Sequence, residues 1–401
     1  MSLQFITGNS GNGKTKYLFN RIVKEAKANP RDNYLVIVPE QFTMQTQRQL
    51  VDLSENKAIM NIDVLSFKRL AYRVFDELGI TNLTVLEETG KNLVLRKLAA
   101  QEADKLGVIG RNLNRIGYIS EVKSLLSELV QYNISPEELG RYIASGMLSD
   151  TLSDKLKDVL VLYEAFEKFM QDKYITAEEI LNVLSNVAEE SAILRNSVIA
   201  FDEFTGFTPI QNQLIKKLFV ISKKIYVTLT IDCREDIFKS RGMQELFDMP
   251  KRTVKSLTEM AAFYGIEVEE PIILDKNYRL AENEELSFME QQLFRKRRCS
   301  FKKAPKHIHI DCLRDPKQEL TKIARRINEL VRNENLRYRD IAIVTGDVNI
   351  YAGYVREIFD KYNIPYFIDA TQEILFHPFI EFIRSIPDIA AQNFSADAVF
   401  R

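Results

Sequence analysis

Histidine and cysteine are scarce in this chain, at three residues each. Cys233, Cys299 and Cys312 stand far apart and form no C-x-x-C. That pattern speaks for reduced thiols in a cytosol and against a zinc or iron–sulfur site within the chain. His307 and His309 share one face of an expected strand, but no further ligands accompany them, so they read as ordinary strand positions. No run is apolar and long enough to span a membrane. The first residues enter an expected strand at once, which leaves no room for a signal peptide. An excess of charge is missing too: 55 Lys and Arg face 56 Asp and Glu, for a net charge of −1. This excludes a generally basic protein that coats nucleic acid, and leaves room for a local basic track. What is there is a globular composition, 45% hydrophobic and 28% charged. At 401 residues the chain exceeds one ordinary core and predicts two or three domains.

The first fifteen residues carry the strongest signal. Leu3 to Thr7 reads as a short buried strand. Gly8, Asn9, Ser10, Gly11, Asn12, Gly13, Lys14 and Thr15 follow, then an amphipathic run through Tyr17, Leu18, Ile22 and Val23. This is G-x-x-x-x-G-K-T between a strand and a helix, a phosphate-binding loop. The glycines let backbone N–H groups close around phosphate oxygens, and the helix N-terminus adds its partial positive charge. Lys14 is expected to reach the β- and γ-phosphates of ATP, and Thr15 to ligate Mg²⁺.

Apolar strands are expected at 34–39, 62–66, 198–201 and 225–231, with a helix from Phe67 to Leu78. Between about Glu87 and Arg195 no strand candidate appears and apolar residues keep helical spacing, as in Leu156, Val159, Leu160, Tyr163, Phe166 and Met170. Capping signals recur at Ser135-Pro136-Glu137-Glu138, at Thr176 to Glu179 and at Thr208-Pro209-Ile210-Gln211. Residues 295–306 hold seven Lys and Arg and no acid, and read as a basic linker. Beyond it, strands at 308–312, 341–345 and 366–368 alternate with helices and predict a second α/β unit.

The strand 198–201 ends in Asp202-Glu203, which beside a phosphate loop is the Walker B arrangement. Asp202 is expected to hold Mg²⁺, and Glu203 to orient or deprotonate the attacking water. Arg279, in Asp275-Lys276-Asn277-Tyr278-Arg279, either reaches a γ-phosphate or is an ordinary solvated or salt-bridged arginine. The run Arg295 to Arg298 either contacts a DNA backbone or is a solvated linker. Gln41, Thr43, Ser66 and Phe67 follow two strands and are candidate DNA contacts, with Phe67 either stacking a base or joining the core.

Taken in this order, the motifs resemble the N-terminal part of the AddB family, the second subunit of bacterial AddAB helicase–nucleases. The phosphate loop resembles motif I of superfamily 1 helicases. Residues 35–43 (LVIVPEQFT), 64–71 (VLSFKRLA) and 201–211 (FDEFTGFTPIQ) are similar to successive family signatures, as are 338–344, 364–369 and 377–379. The resemblance covers essentially the whole chain. It implies an α/β fold: a phosphate-loop, RecA-like parallel sheet (1–86 and 196–294), a large all-helical insertion (87–195), a basic linker (295–306) and the truncated start of a second RecA-like lobe (307–401). It implies ATP and Mg²⁺ as cofactors, AddA as partner, single-stranded DNA and duplex ends as ligands, and a cytoplasmic site of action. The implied process is resection of DNA double-strand breaks for recombinational repair, with a contribution to recognition of the Chi signal. The family's nuclease and iron–sulfur cluster are expected only in a C-terminal part beyond Arg401.

Motif III of active helicases pairs Gly-Asp with a glutamine, whereas residues 228–233 keep only Asp232. That favours an ATP- and DNA-binding subunit over the alternative, an active superfamily 1 motor with ATPase activity. A small-molecule kinase would be shorter and lack a second lobe. A scaffold with a vestigial loop would not bind ATP.

Overall fold

The computed structural model describes all residues except 82–83, 108–115, 147, 172, 296–298, 370–373, 375–376 and 401, and only the backbone of Ile116. The chain divides into two compact units, Met1–Lys302 and Lys303–Arg401.

The first unit is built on a parallel sheet. Its elements begin with β1 (Ser2–Gly8), α1 (Lys14–Ala28), β2 (Tyr34–Ile37), α2 (Thr43–Leu53), β3 (Ile62–Leu65) and α3 (Phe67–Leu78). An insertion follows, made of β4 (Val85–Leu86), α4 (Glu88–Gln101), α5 (Ile116–Gln131), α6 (Pro136–Ala144), α7 (Asp150–Met170), β5 (Ile175–Thr176) and α8 (Ile180–Val187). The sheet resumes with β6 (Val198–Phe201), α9 (Pro209–Ile221), β7 (Lys224–Thr230), α10 (Asp248–Phe263), β8 (Glu267–Val268), β9 (Ile272–Leu274) and α11 (Glu284–Gln292). The strand order is β3-β2-β6-β7-β1, with β8 and β9 both on the outer side of β1. Every pairing is parallel, with Val36 opposite Ala200, Phe201 opposite Val227 and Ile6 opposite Thr228.

Such a sheet is covered on both faces, which is why its strands are near-continuous apolar runs. Alternate residues then serve two cores. Leu35, Ile37, Ile199, Phe201, Ile225 and Val227 pack on the face of α3, α8, α9 and α10. Tyr34, Val36, Val198, Ala200 and Tyr226 pack on the opposite face with Leu18, Phe19 and Ile22 of α1 and Leu50 of α2. The result is a three-layer α/β arrangement compatible with a RecA-like fold. Because all strands run one way, the loops after β1, β2, β3, β6 and β7 leave from a single edge.

The insertion has a third core of its own, formed by Leu95, Leu98, Val122, Leu126, Val159, Leu162 and Phe166 among others. The stretch from 87 to 195, expected to be all helical, is not, because β5 pairs with β4 in a two-residue parallel ladder. The strands β8 and β9 had no forecast either, being too short for a periodic signal. Two of the three expected capping boxes are complete, while Ser135 accepts from the Glu138 N–H as an N-cap only. Thr208 Oγ1 accepts from the Gln211 N–H while Gln211 Oε1 accepts from the Thr208 N–H. Thr176 and Glu179 make the same reciprocal pair.

The second unit contains α12 (Pro316–Asn333), α13 (Val348–Lys361), α14 (Pro378–Ala391) and α15 (Ala396–Val399). Leu320, Ala324 and Ile327 of α12 pack with Ile358 and Phe359 of α13 and with Ile364. The strands expected at 308–312, 341–345 and 366–368 do not form among the described residues. A strand exists by pairing, and among the described residues these segments have no ladder partner. Ile310, Val344 and Phe367 are each at least 89% exposed. The α/β character therefore lies in the first unit, and the second as described is helical.

Candidate functional site

The phosphate loop joins β1 to α1 at the edge where the parallel strands end. Gly13 precedes α1 with φ 79° and offers no side chain to cap its first turn. The first N–H groups of that helix are left facing the cleft. Lys14 Nζ donates to the carbonyls of Gly8 and Asn9, at 3.1 Å each. Burial lowers the Lys14 pKa, against the raising pull of Glu203 and Asp202, and the Arg279 charge lowers it further.

Asp202 emerges from β6 directly across the cleft. Thr15 Oγ1 lies 3.3 Å from Asp202 Oδ1 and 3.3 Å from Glu203 Oε1. The Asp202 carboxyl is 1% exposed, and its Oδ1 also accepts from the Thr228 hydroxyl on β7. Its Oδ2 is buried without a hydrogen-bond partner. Burial pushes the Asp202 pKa up, and the neighbouring Glu203 adds to the rise, against the hydroxyls of Thr228 and Thr15. Glu203 itself sits at φ 64°. For a residue with a Cβ this left-handed backbone costs about 1–3 kcal/mol.

Between the loop and this pair opens a cleft of about 820 Å³. Lys14, Thr15, Asp202, Glu203 and Arg279 all line it. Two lining residues escaped the sequence analysis. Thr228 holds Asp202. Tyr278 lies beside the loop, where a Cβ on Gly13 would come 3.5 Å from its ring, and the ring is 65% exposed. Tyr278 was legible as the neighbour of Arg279. Thr228 was not, because a threonine inside a strand carries no signal of its own.

Asn9 ties the loop to its surroundings. Its Oδ1 accepts from the Cys233 N–H at 3.0 Å, and its Nδ2 donates to Glu290 Oε1 at 2.7 Å. The adjacent Asp232 is bound by Arg234 at 2.6 Å and by Arg295 at 2.8 Å. Burial raises the Asp232 pKa, but the Arg234 guanidinium and N–H and the Arg295 charge outweigh it and bring the carboxyl to about 2. The first residue of the basic run thus points inward, with its guanidinium 5.0 Å from the Phe247 ring centre. It is held by Asp232 and Phe247 rather than standing free in solvent. Lys296, Arg297 and Arg298 lie outside the described residues.

The four candidate DNA contacts separate. Phe67 is 8% exposed and packs against Phe201, Phe204 and Phe207, with ring centroids 5.8, 5.6 and 6.4 Å away. Of its two expected fates, stacking a base or joining the core, the structure puts Phe67 in the core. An aromatic two residues past a strand end gains more by burial than by exposure. Ser66 is buried and caps α3 by accepting from the Arg69 N–H. Thr43 is buried and donates to the Glu40 carbonyl. Gln41 is exposed, in the turn after β2.

Among the described residues no helix is long and apolar enough to cross a membrane, and no three His, Cys, Asp or Glu side chains are grouped to hold a metal. A family model described as "ADDB, N-terminal" matches residues 5–290. The chain is 38% identical over its whole length to the B subunit of the ATP-dependent helicase/deoxyribonuclease of Lachnoclostridium phytofermentans, covering 35% of that protein. It is 33% identical, again over its whole length, to the proteins of the same name from Clostridium tetani and Clostridium acetobutylicum, covering 35% and 34% of them. The chain thus spans about a third of the length of these relatives. With the matched region running from β1 through α11, across the phosphate loop, Asp202 and Tyr278, the chain belongs to the AddB family and carries its N-terminal region.

Proposed function

We propose that the first unit binds Mg·ATP in the cleft between the phosphate loop and Asp202, within a subunit of an ATP-dependent helicase–nuclease. The observation that carries this is the Asp202 carboxyl. It is buried, its Oδ2 has no partner, and it stands beside Thr15 at the mouth of the loop. A buried carboxylate oxygen without a partner costs about 1–3 kcal/mol. A cation held there would remove that cost. Thr15 and Asp202 are the residues that would hold Mg²⁺, which neutralises phosphate charge when bound. The loop N–H groups and Lys14 take the phosphates. The exposed Tyr278 suits stacking with a base, and Arg279 suits the charge of the outer phosphate. Glu203, 3.3 Å from the Thr15 hydroxyl, would orient a water, the step that turns binding into hydrolysis.

The name shared by the relatives supports the larger assignment, which we extend to AddA as partner, to DNA ends as substrate and to break resection in the cytoplasm. Single-stranded DNA is expected over the loops after Val38 and Leu65, with Gln41 the contact residue, and Chi recognition belongs to the same track. A subunit that binds ATP fits better than a motor, because Asp232, the remnant of motif III, is taken up by Arg234 and Arg295. Calorimetric titration of the full-length subunit tests the core of this. Mg·ATP binds the wild type, and Lys14→Ala weakens it at least about tenfold, the loss of one charge-assisted phosphate contact. Equal affinities would end the nucleotide assignment.

A further inference from the structure

Past β9 the chain folds back over the phosphate loop. Asn12 Nδ2 donates to the Leu274 carbonyl at 2.5 Å, and the Tyr278 N–H donates to the Gly11 carbonyl at 3.0 Å. Asn277 sits at the centre of this clasp. Its Nδ2 donates to the Ser10 carbonyl at 3.0 Å, and its Oδ1 accepts from the N–H groups of Arg279 at 3.1 Å and Leu280 at 3.0 Å. Arg279 Nη1 reaches Ser10 Oγ at 3.4 Å. Two of the loop glycines make room for the clasp. A Cβ on Gly11, at φ +90°, would lie 2.8 Å from both Arg279 Cβ and Asn277 Oδ1, and one on Gly8 would lie 2.6 Å from the Leu274 carbonyl oxygen.

Resting on the nucleotide site proposed above, we propose that Asn277 is a positioning residue for it. Two of its bonds shape the turn that sets Tyr278 and Arg279 over the loop. The third ties that turn to the loop backbone. A glycine-rich loop left alone samples many conformations, and fixing each residue costs about 1–2 kcal/mol of backbone entropy. A loop already held in shape binds its ligand without meeting that cost at the moment of binding. Tyr278 and Arg279 ride on the same turn, so losing Asn277 disturbs the base side and the phosphate side of the site together.

Two measurements on the full-length subunit test this. The first is hydrogen exchange without nucleotide, which reads the clasp directly. Asn277→Ala is expected to speed exchange roughly tenfold across 275–280 and the loop, from loss of the local bonds, and to leave the remaining sheet unchanged. The second is Mg·ATP affinity read with a fluorescent ATP analogue, which should fall roughly tenfold through lost pre-organisation. Gly11→Ala leaves Asn277 intact but pushes the turn away, so it should reproduce both effects. Unchanged exchange in Asn277→Ala overturns the proposal. So does faster exchange with wild-type affinity, since the clasp would then position nothing. If the wild type itself fails to bind the analogue, the nucleotide site falls and takes the proposal with it, an outcome told apart by the silence of the wild type.

Discussion

Asp202 is a carboxyl whose charged form burial disfavours. Burial raises its pKa, so the stability it contributes is present below the ordinary aspartate range and is lost as pH climbs through the raised value. At neutral pH Asp202→Asn is therefore expected to be more stable than the ligand-free wild type, by about 1 kcal/mol or a few degrees in thermal midpoint. The gap should close on acidification, and Mg·ATP should no longer stabilise the variant. Thermal scans from pH 4 to 8 check this, and a variant less stable than wild type at pH 7 would refute it. Arg279, left open by the sequence, is found lining the cleft only in the structure. The sequence placed Lys14, Thr15, Asp202 and Glu203 around that same cleft, because two motifs on parallel strands have only one edge to share. It did not reveal the bond from Thr228 or the left-handed backbone of Glu203. Both arise from strands that meet only after folding.

The start of α3 shows how an element can hide its purpose. The stretch Leu65-Ser66-Phe67 has the polar and aromatic make-up of a nucleic-acid contact, yet Ser66 is a helix cap and Phe67 a core ring. Ser66→Ala should cost about 1 kcal/mol and Phe67→Ala about 3–5 kcal/mol. Any DNA-binding defect in these two should track their loss of stability in urea unfolding. Gln41→Ala, on the exposed turn after β2, should weaken single-strand binding by the intact complex with no shift in unfolding midpoint. Wild-type binding by Gln41→Ala would remove that turn from the DNA track. Central strands were legible because burial on both faces writes an unbroken apolar run. The segments at 341–345 and 366–368 carry the same kind of run, and 308–312 alternates as a one-sided strand would. Composition alone does not supply the neighbour that makes a strand.

While α8 packs on the sheet itself, helices α4 to α7 of the insertion bury their side chains in a core separate from the two that flank the sheet. Leu162, on α7, is fully buried there. Leu162→Ala should cost about 2–5 kcal/mol within the insertion and leave Mg·ATP affinity within about twofold, because sites without shared partners act independently. Two separated phases in chemical unfolding would confirm this, and a matching loss of affinity would show that the insertion and the nucleotide site unfold as one. The sheet itself imposes a schedule on the newborn chain. Strand β1 pairs with β7, and Ser2 lies opposite Lys224, 222 residues later. At about 5–20 residues per second, roughly 10–40 s of synthesis separate the two strands. The insertion's helices emerge within that interval and can collapse locally. The phosphate loop, whose shape depends on β1, β9 and the turn at Asn277, is among the last features of the first unit to take form. A ribosome stalled in the insertion would hold β1 as an unpaired apolar strand, a ready client for a chaperone.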